Sequence, residues 1–263
     1  METTSDDVLR HFCRSPRTNQ LYERWSQDPS RRSVVPAVTR HSTKTVYELT
    51  LADVSDVCHR TEHALGEVRR AEGEAVRQIV DWHPNFAFTH MFHICLERNK
   101  QLPTYQEFRA FTQSDELGQL MLGRPSRDKV REVVESGVPE HRARSAMRWR
   151  VGNAYYSFLS EIVTVVTLRK SGLNVQVHPL ADALFRVDAW VGRKNLSLRV
   201  GNKKFRQGEY GGRKQPAEDI LADIVPPMAF ETIELKPATE FGRVHVPSEE
   251  ELLAVAARLH DSS

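Results

Sequence analysis

From Ala143 to Lys170 the apolar positions Val151, Tyr155, Phe158, Ile162, Val165 and Val166 fall on one face at about 100° per residue, which predicts a single long helix. Ser171-Gly172 supplies its C-terminal stop. Three strand candidates follow at once, Leu173–His178, Phe185–Val191 and Leu196–Val200, the last two joined by the hairpin signal Gly192-Arg193-Lys194-Asn195. A helix over Pro216–Ile224 and a strand over Phe230–Leu235 come next. Ser248-Glu249-Glu250-Glu251 has capping-box spacing and opens a last helix to about Leu259. The order helix, three strands, helix, strand, helix requires a central sheet flanked by helices, a mixed α/β fold.

The chain ahead of this block has a different texture. Residues 1–45 mix turn formers with short helical pieces, and Asp28-Pro29-Ser30-Arg31-Arg32-Ser33 reads as a surface loop. Leu51 to Val80 carries a helical pattern, broken near Gly66 or Gly73 and ended by His83-Pro84-Asn85. Phe86–Arg98 reads as a short buried helix. Thr104 to Glu107 forms a capping box that opens a helix through Phe108 and Phe111, and a further helix runs from Ser126 to Glu135 before Gly137. The expected division is a helical domain over 1–140 and an α/β domain over 141–263.

The net charge of +2 conceals a polarised distribution. Residues 141–215 hold 15 Lys and Arg against 4 Asp and Glu, a net of +11, while 1–140 and 216–263 carry −2 and −7. A block this cationic suits a polyanion, because Lys and Arg that neutralise phosphates release condensed counterions. The alternative is charge spread over a solvated surface and offset by the acidic tail. No run approaches the ~18 apolar residues of a membrane helix. The first seven residues are acidic and polar, unlike a secretory signal, and Cys13, Cys58 and Cys95 have neither disulfide nor zinc-knuckle spacing. A soluble cytoplasmic protein is expected.

Two isolated acids stand out. Glu161 lies at the border of the long helix's apolar stripe, beside Ala154, Val165 and Leu168. Asp188 is the only acid within a strand-like run, where Asp is disfavoured. It is either edge decoration or a metal ligand. With these residues and this element order, roughly 145–236 resembles the PD-(D/E)XK, or restriction endonuclease-like, nuclease superfamily. The resemblance implies that Glu161 is the acid of the first core helix, that Asp188 is the second-strand Asp, and that both ligate Mg²⁺. On the third strand, where the family has acid-x-Lys, this chain offers Ser197-x-Arg199 or Arg199-x-Gly201, with Lys203 and Lys204 just beyond. Arg199 or Lys203 would supply the cation facing the scissile phosphate, although arginine is no proton acceptor. Glu234-Leu235-Lys236 spells acid-x-Lys literally on the fourth strand candidate, a pattern equally ordinary on an exposed strand.

The loop Asn202–Gln215 interleaves five cations, Lys203, Lys204, Arg206, Arg213 and Lys214, with Phe205, Tyr210 and three glycines. It suits a nucleic-acid backbone or an unstacked base, and otherwise a solvated loop. Arg148 and Arg150 extend the positive surface along the long helix. Cys58, His59, His63, His90, His93 and Cys95 match no zinc-finger spacing and read mainly as packing. No P-loop, nucleophile elbow, His-Glu-x-x-His or dinucleotide fingerprint occurs. The leading expectation is a Mg²⁺-dependent DNA endonuclease, by family analogy one of restriction or antiviral defence, and as a cutter of both strands suited to a homodimer. Its rivals are an inactive nucleic-acid-binding protein of the same fold and a protein–protein adaptor.

Overall fold

The structure is a computed structural model that describes residues 1–200, 215–235, 237–241 and 244–261. It opens with β1 (Thr3–Thr4), α1 (Ser5–Phe12), α2 (Pro16–Gln27), α3 (Val34–Thr39) and β2 (Ser42–Thr43). Then come α4 (Leu51–Arg60), the single turns α5 (Arg70–Gly73) and α6 (Arg77–Val80), α7 (Phe88–Asn99), α8 (Tyr105–Ser114), α9 (Glu116–Gly118) and α10 (Arg124–Glu135). The remainder is α11 (Glu140–Lys170), β3 (Val175–Gln176), α12 (Pro179–Phe185), β4 (Ala189–Val191), β5 (Lys194–Val200), α13 (Ala217–Ile220), β6 (Ala229–Leu235), β7 (Pro237–Phe241), β8 (Val244–Pro247) and α14 (Glu249–Asp261). The mixed α/β class expected from the sequence is therefore present.

The chain forms two compact units, and they do not follow a cut at residue 140. One gathers 1–51, 160–239 and 246–263; the other gathers 52–159 and 240–245. Residues 140–159 of α11 belong to the second unit and 160–170 to the first.

The first unit holds a four-stranded mixed sheet in the order β3-β4-β5-β6. β4 runs antiparallel to β3 and β5, and β6 runs parallel to β5, with Lys194 to Val200 facing Ala229 to Leu235 residue by residue. The β4–β5 connection is a two-residue turn, Gly192-Arg193, because Val191 pairs with Lys194. Gly192 sits at φ +54°, a conformation that suits glycine at the head of a tight hairpin. Residues 1–51 belong here for a packing reason. Phe12 of α1 meets Phe185 of α12 and Trp190 of β4, with ring centroids 4.9 and 5.4 Å away, and all three rings are buried. Beyond β3, Val177 is met by a side chain. The Tyr47 hydroxyl accepts from Val177 N–H at 3.0 Å and donates to Val177 C=O at 3.1 Å, which leaves the Thr3 hydroxyl as donor in its 2.7 Å bond to Tyr47.

Two elements of this unit differ from the expected strands. The 173–178 run is a strand only over Val175–Gln176, and the 185–191 run only over Ala189–Val191. Between them lies a helix the strand pattern concealed. His178 caps α12 by accepting Leu180 N–H at Nδ1, and Pro179 occupies the first turn, where a missing N–H is harmless. His178 Nε2 must then carry the proton, and it donates to the His41 carbonyl at 3.0 Å. Likewise α13 covers only part of the predicted 216–224 helix.

The second unit is helical. Phe92 of α7 stacks on Phe158 of α11 at 5.0 Å and packs against Phe108 of α8 at 4.3 Å. The helix expected over 51–80 ends at Arg60, because the next residues satisfy their backbone groups with side chains. Glu62 N–H donates to Gln106, and Ala64 N–H to the Tyr156 hydroxyl. This loop lies against α11 so closely that a Cβ on Gly152 would stand 2.9 Å from the Ala64 backbone. Thr104 forms the predicted capping box with Glu107.

Candidate functional site

Asp188 stands one residue ahead of β4, where the chain must reverse out of α12. Arg186 takes a left-handed conformation at φ +59°, and Arg186 N–H donates back to the Asp182 carbonyl at 3.2 Å. Asp188 is thereby seated on β5. Its N–H donates to the Leu196 carbonyl at 3.2 Å, and its Oδ2 accepts Leu198 N–H at 2.6 Å. The carboxyl is held well above the usual carboxylate range, first by desolvation, then by the negative charges of Asp182 and Glu161. Leu198 N–H and the Arg199 guanidinium pull in the opposite direction.

Glu161 of α11, Asp182 of α12, Asp188 and Arg199 of β5 therefore share one electrostatic neighbourhood within the first unit. Three of these four were singled out from sequence. Asp182 was missed, since it was read as lying between strands; Pro179 with an acid in the following turn is the helix-start signal that would have exposed it. On β5, Ser197 and Arg199 share a face, and the parallel register sets them beside Thr232 and Glu234 of β6. Glu234 thus brings an acid next to Arg199 from the neighbouring strand. Lys236, the other half of its acid-x-Lys, lies outside the described residues.

Among the described residues no group of three or more His, Cys, Asp and Glu side chains is close enough to hold a metal ion. The hard oxygens of two carboxylates are nevertheless the donor chemistry that Mg²⁺ takes, with waters and phosphate oxygens completing its shell.

The basic residues divide sharply. Lys203, Lys204, Arg206, Arg213 and Lys214 lie outside the described residues. Arg148 and Arg150, expected on an open phosphate-binding surface, both donate to the second unit's own backbone, and Arg148 stays partly exposed. Arg148 donates to the Ala64 and His63 carbonyls, each at 3.2 Å. Arg150 donates to the Trp82 carbonyl and lies 5.3 Å over the Phe88 ring, and burial lowers its proton affinity. Carbonyls left bare by an irregular loop need donors, and these arginines are the donors.

Of the histidines and cysteines read mainly as packing, four are buried, His63 is half-buried and His59 is exposed. Cys58, Cys95, His90 and His93 are buried, and His93 meets Phe158 edge-on at 5.4 Å. His63 Nδ1 is 2.6 Å from the Tyr156 hydroxyl, and His59 Nδ1 is 2.7 Å from the Ser55 carbonyl. No described helix is long and apolar enough to cross a membrane. Compared with known proteins, the chain matches no family model, no curated protein and no solved structure.

Proposed function

We propose that this protein is a divalent-cation-dependent nuclease acting on DNA, with a restriction endonuclease-like core formed by α11 and the four-stranded sheet. The observation that carries the proposal is the electrostatic action of Glu161 and Arg199, from the helix and the third strand of that core, on the desolvated Asp188 carboxyl, which stands one residue ahead of the second strand and is seated on Leu198 N–H. The sheet order and the single antiparallel inner strand support the same reading.

In this reading Glu161 and Asp188 hold Mg²⁺, whose chemistry is to polarise a phosphodiester and lower the pKa of bound water. Leu198 N–H fixes one oxygen of Asp188, so the carboxylate is oriented before substrate arrives. Arg199 opposes charge developing on the phosphate oxygens and cannot serve as a base. Asp182 adds negative charge that resists crowding of carboxylates without a counter-cation. In family terms such an enzyme would serve restriction or defence.

A second reading is favoured by one observation: β5 presents Ser197 and Arg199 where an acid and a lysine are expected. Such a strand suits a protein that binds nucleic acid without cutting it. Supercoiled plasmid with Mg²⁺ or Mn²⁺ separates the two. Nicking by the intact protein, lost in Asp188→Asn and Glu161→Gln, supports the nuclease. Salt-sensitive binding with no cleavage of DNA or RNA replaces it with the second reading.

A further inference from the structure

We infer that His178 is a proton-operated latch on α12, the short helix that leads into Asp188: a proton taken up at Nδ1 releases the helix's first turn and loosens the reversal that aims Asp188. The ring is buried, and both its nitrogens are committed. Nδ1 accepts Leu180 N–H and Nε2 donates to the His41 carbonyl, each at 3.0 Å. A donor facing Nδ1 fixes the neutral imidazole with its hydrogen on Nε2. A second proton would set N–H against N–H at the cap and bury an imidazolium. An ordinary imidazole titrates at about 6.5, so this conflict begins just below neutral pH.

The first turn matters because the far end of α12 hangs from it. At seven residues the helix is too short to stand without its caps. Beyond it, Arg186 N–H donates to the Asp182 carbonyl at 3.2 Å and Val187 N–H to the Ala181 carbonyl at 3.4 Å, and both acceptors lie in the turn that His178 caps. Those two bonds hold the left-handed Arg186 and so set where Asp188 meets β5. Through the His41 carbonyl the same ring ties α12 to the segment between α3 and β2, 137 residues back in the chain. Phe185 stays gripped by Phe12, ring centroids 4.9 Å apart, so the release is local and the unit stays folded.

His41 meets the His178 ring edge-on, centroids 5.2 Å apart, and its own Nε2 lies 3.2 Å from the Thr43 hydroxyl. Arg40 and Lys44 flank that segment and are exposed. Asp182 lies one turn along α12. Tyr47 grips Val177, next to His178, and Arg169 lies 4.5 Å over the Tyr47 ring. α3 carries no charged residue, and the acids and arginines of α1 and α2 are exposed save Asp7, which pairs with Arg10. Acid favours the opened form, because the latched ring has no room at Nδ1 for the proton that the opened ring accepts. The closed form is therefore complete above about pH 6.5 and is lost as pH falls below it.

The test is a pH series over roughly pH 5 to 8 on the full chain and on His178→Asn, whose amide oxygen still caps α12 but binds no proton. Amide exchange followed by NMR, corrected for its intrinsic pH dependence, should show the protection of Leu180 and Arg186 falling at least several-fold across the acid half of the series in the wild type. In His178→Asn the same amides should hold their protection. In urea, the ratio of wild-type to variant unfolding constants should rise toward about tenfold per pH unit below about pH 6.5, the linkage of one proton. His41 and the remaining histidines are common to both chains and cancel in the ratio. Unchanged protection of Leu180 and Arg186 in the wild type overturns the latch, as does an equal fall in the variant. A ratio that moves while Leu180 stays protected also overturns it, because the proton is then taken up only on global unfolding. If His178→Asn does not fold, the wild type decides: the imidazole nitrogen shifts of His178 must report protonation over the pH range in which Leu180 opens, and separate ranges overturn the latch. None of these readings involves cleavage, so the latch and the nuclease reading fail separately.

Discussion

Replacing Asp188 with asparagine should stabilise the protein at neutral pH while removing its proposed metal site. Asparagine is isosteric, and its Oδ1 can still accept Leu198 N–H, so the change isolates charge. The native carboxyl binds its proton more tightly than the unfolded one, since desolvation, Asp182 and Glu161 all disfavour the ionised form. A carboxyl raised in this way leaves the native state unpenalised below the unfolded pKa of 3.8 and reduces stability as pH climbs through the native value. At the ~4–6 Å over which a neighbouring charge moves a proton affinity, an effective dielectric of about 20 puts one like-charge repulsion near 3–4 kcal/mol as an upper figure. Leu198 N–H and Arg199 offset part of this, and protonation limits the rest. A net gain of about 1–3 kcal/mol follows at pH 7, equivalent to roughly 2–12 °C in thermal midpoint for a chain of this size. Urea midpoints measured at pH 7 and near pH 4 check it, because the gain should shrink toward zero as the wild-type carboxyl takes up its proton. Millimolar Mg²⁺ should narrow the pH 7 difference by stabilising only the wild type. A variant less stable at pH 7, or a gain indifferent to pH, would refute the electrostatic argument.

Other perturbations test the scaffold. Gly152→Ala should lower the urea midpoint by an amount corresponding to about 1–2 kcal/mol, because the added methyl meets Ala64 backbone and outweighs alanine's better helix propensity. His178→Ala removes both the α12 cap and the bond to His41, a loss of about 1–3 kcal/mol in thermal or urea unfolding, and His178→Asn should recover part of it as a competent cap. Burial pushes the Cys13 and Cys58 thiols up to about 11 and Cys95 to about 12, so a thiol reagent at pH 8 should label native protein very slowly and unfolded protein at once. Fast labelling of native protein would contradict the packing around all three.

What the sequence revealed depended on whether a signal was local. The α11 stripe and the Thr104 capping box are written in neighbouring residues and formed at their expected places, and the hairpin signal Gly192-Arg193-Lys194-Asn195 closed on its first two residues, with Lys194 and Asn195 already in β5. The stretch from 179 to 184 was left between two strands, and 185–188 was read as strand; His178 and Pro179 open a helix there through a cap, which periodicity does not register. Arg148 and Arg150 looked like ligands for phosphate because composition counts charge without counting carbonyls. Their partners, at His63, Ala64 and Trp82, are 68 to 85 residues away in the chain, and no local pattern announces such pairings. Glu161 and Asp188 were legible as anomalies, acids in apolar settings. Asp182 was not, because an acid in a turn-like stretch is unremarkable until the backbone brings it back.

The interleaving of 1–51 with 160–239 has a consequence for biogenesis. As the chain leaves the ribosome, residues 52–159 emerge as a nearly uninterrupted helical block able to collapse on itself, whereas Phe12 has no Phe185 or Trp190 to meet until most of the protein has been synthesised. The leading segment must wait with its apolar faces uncovered. A fragment starting at residue 141 would lack that segment permanently, and its sheet would be left with an unsealed aromatic face prone to self-association.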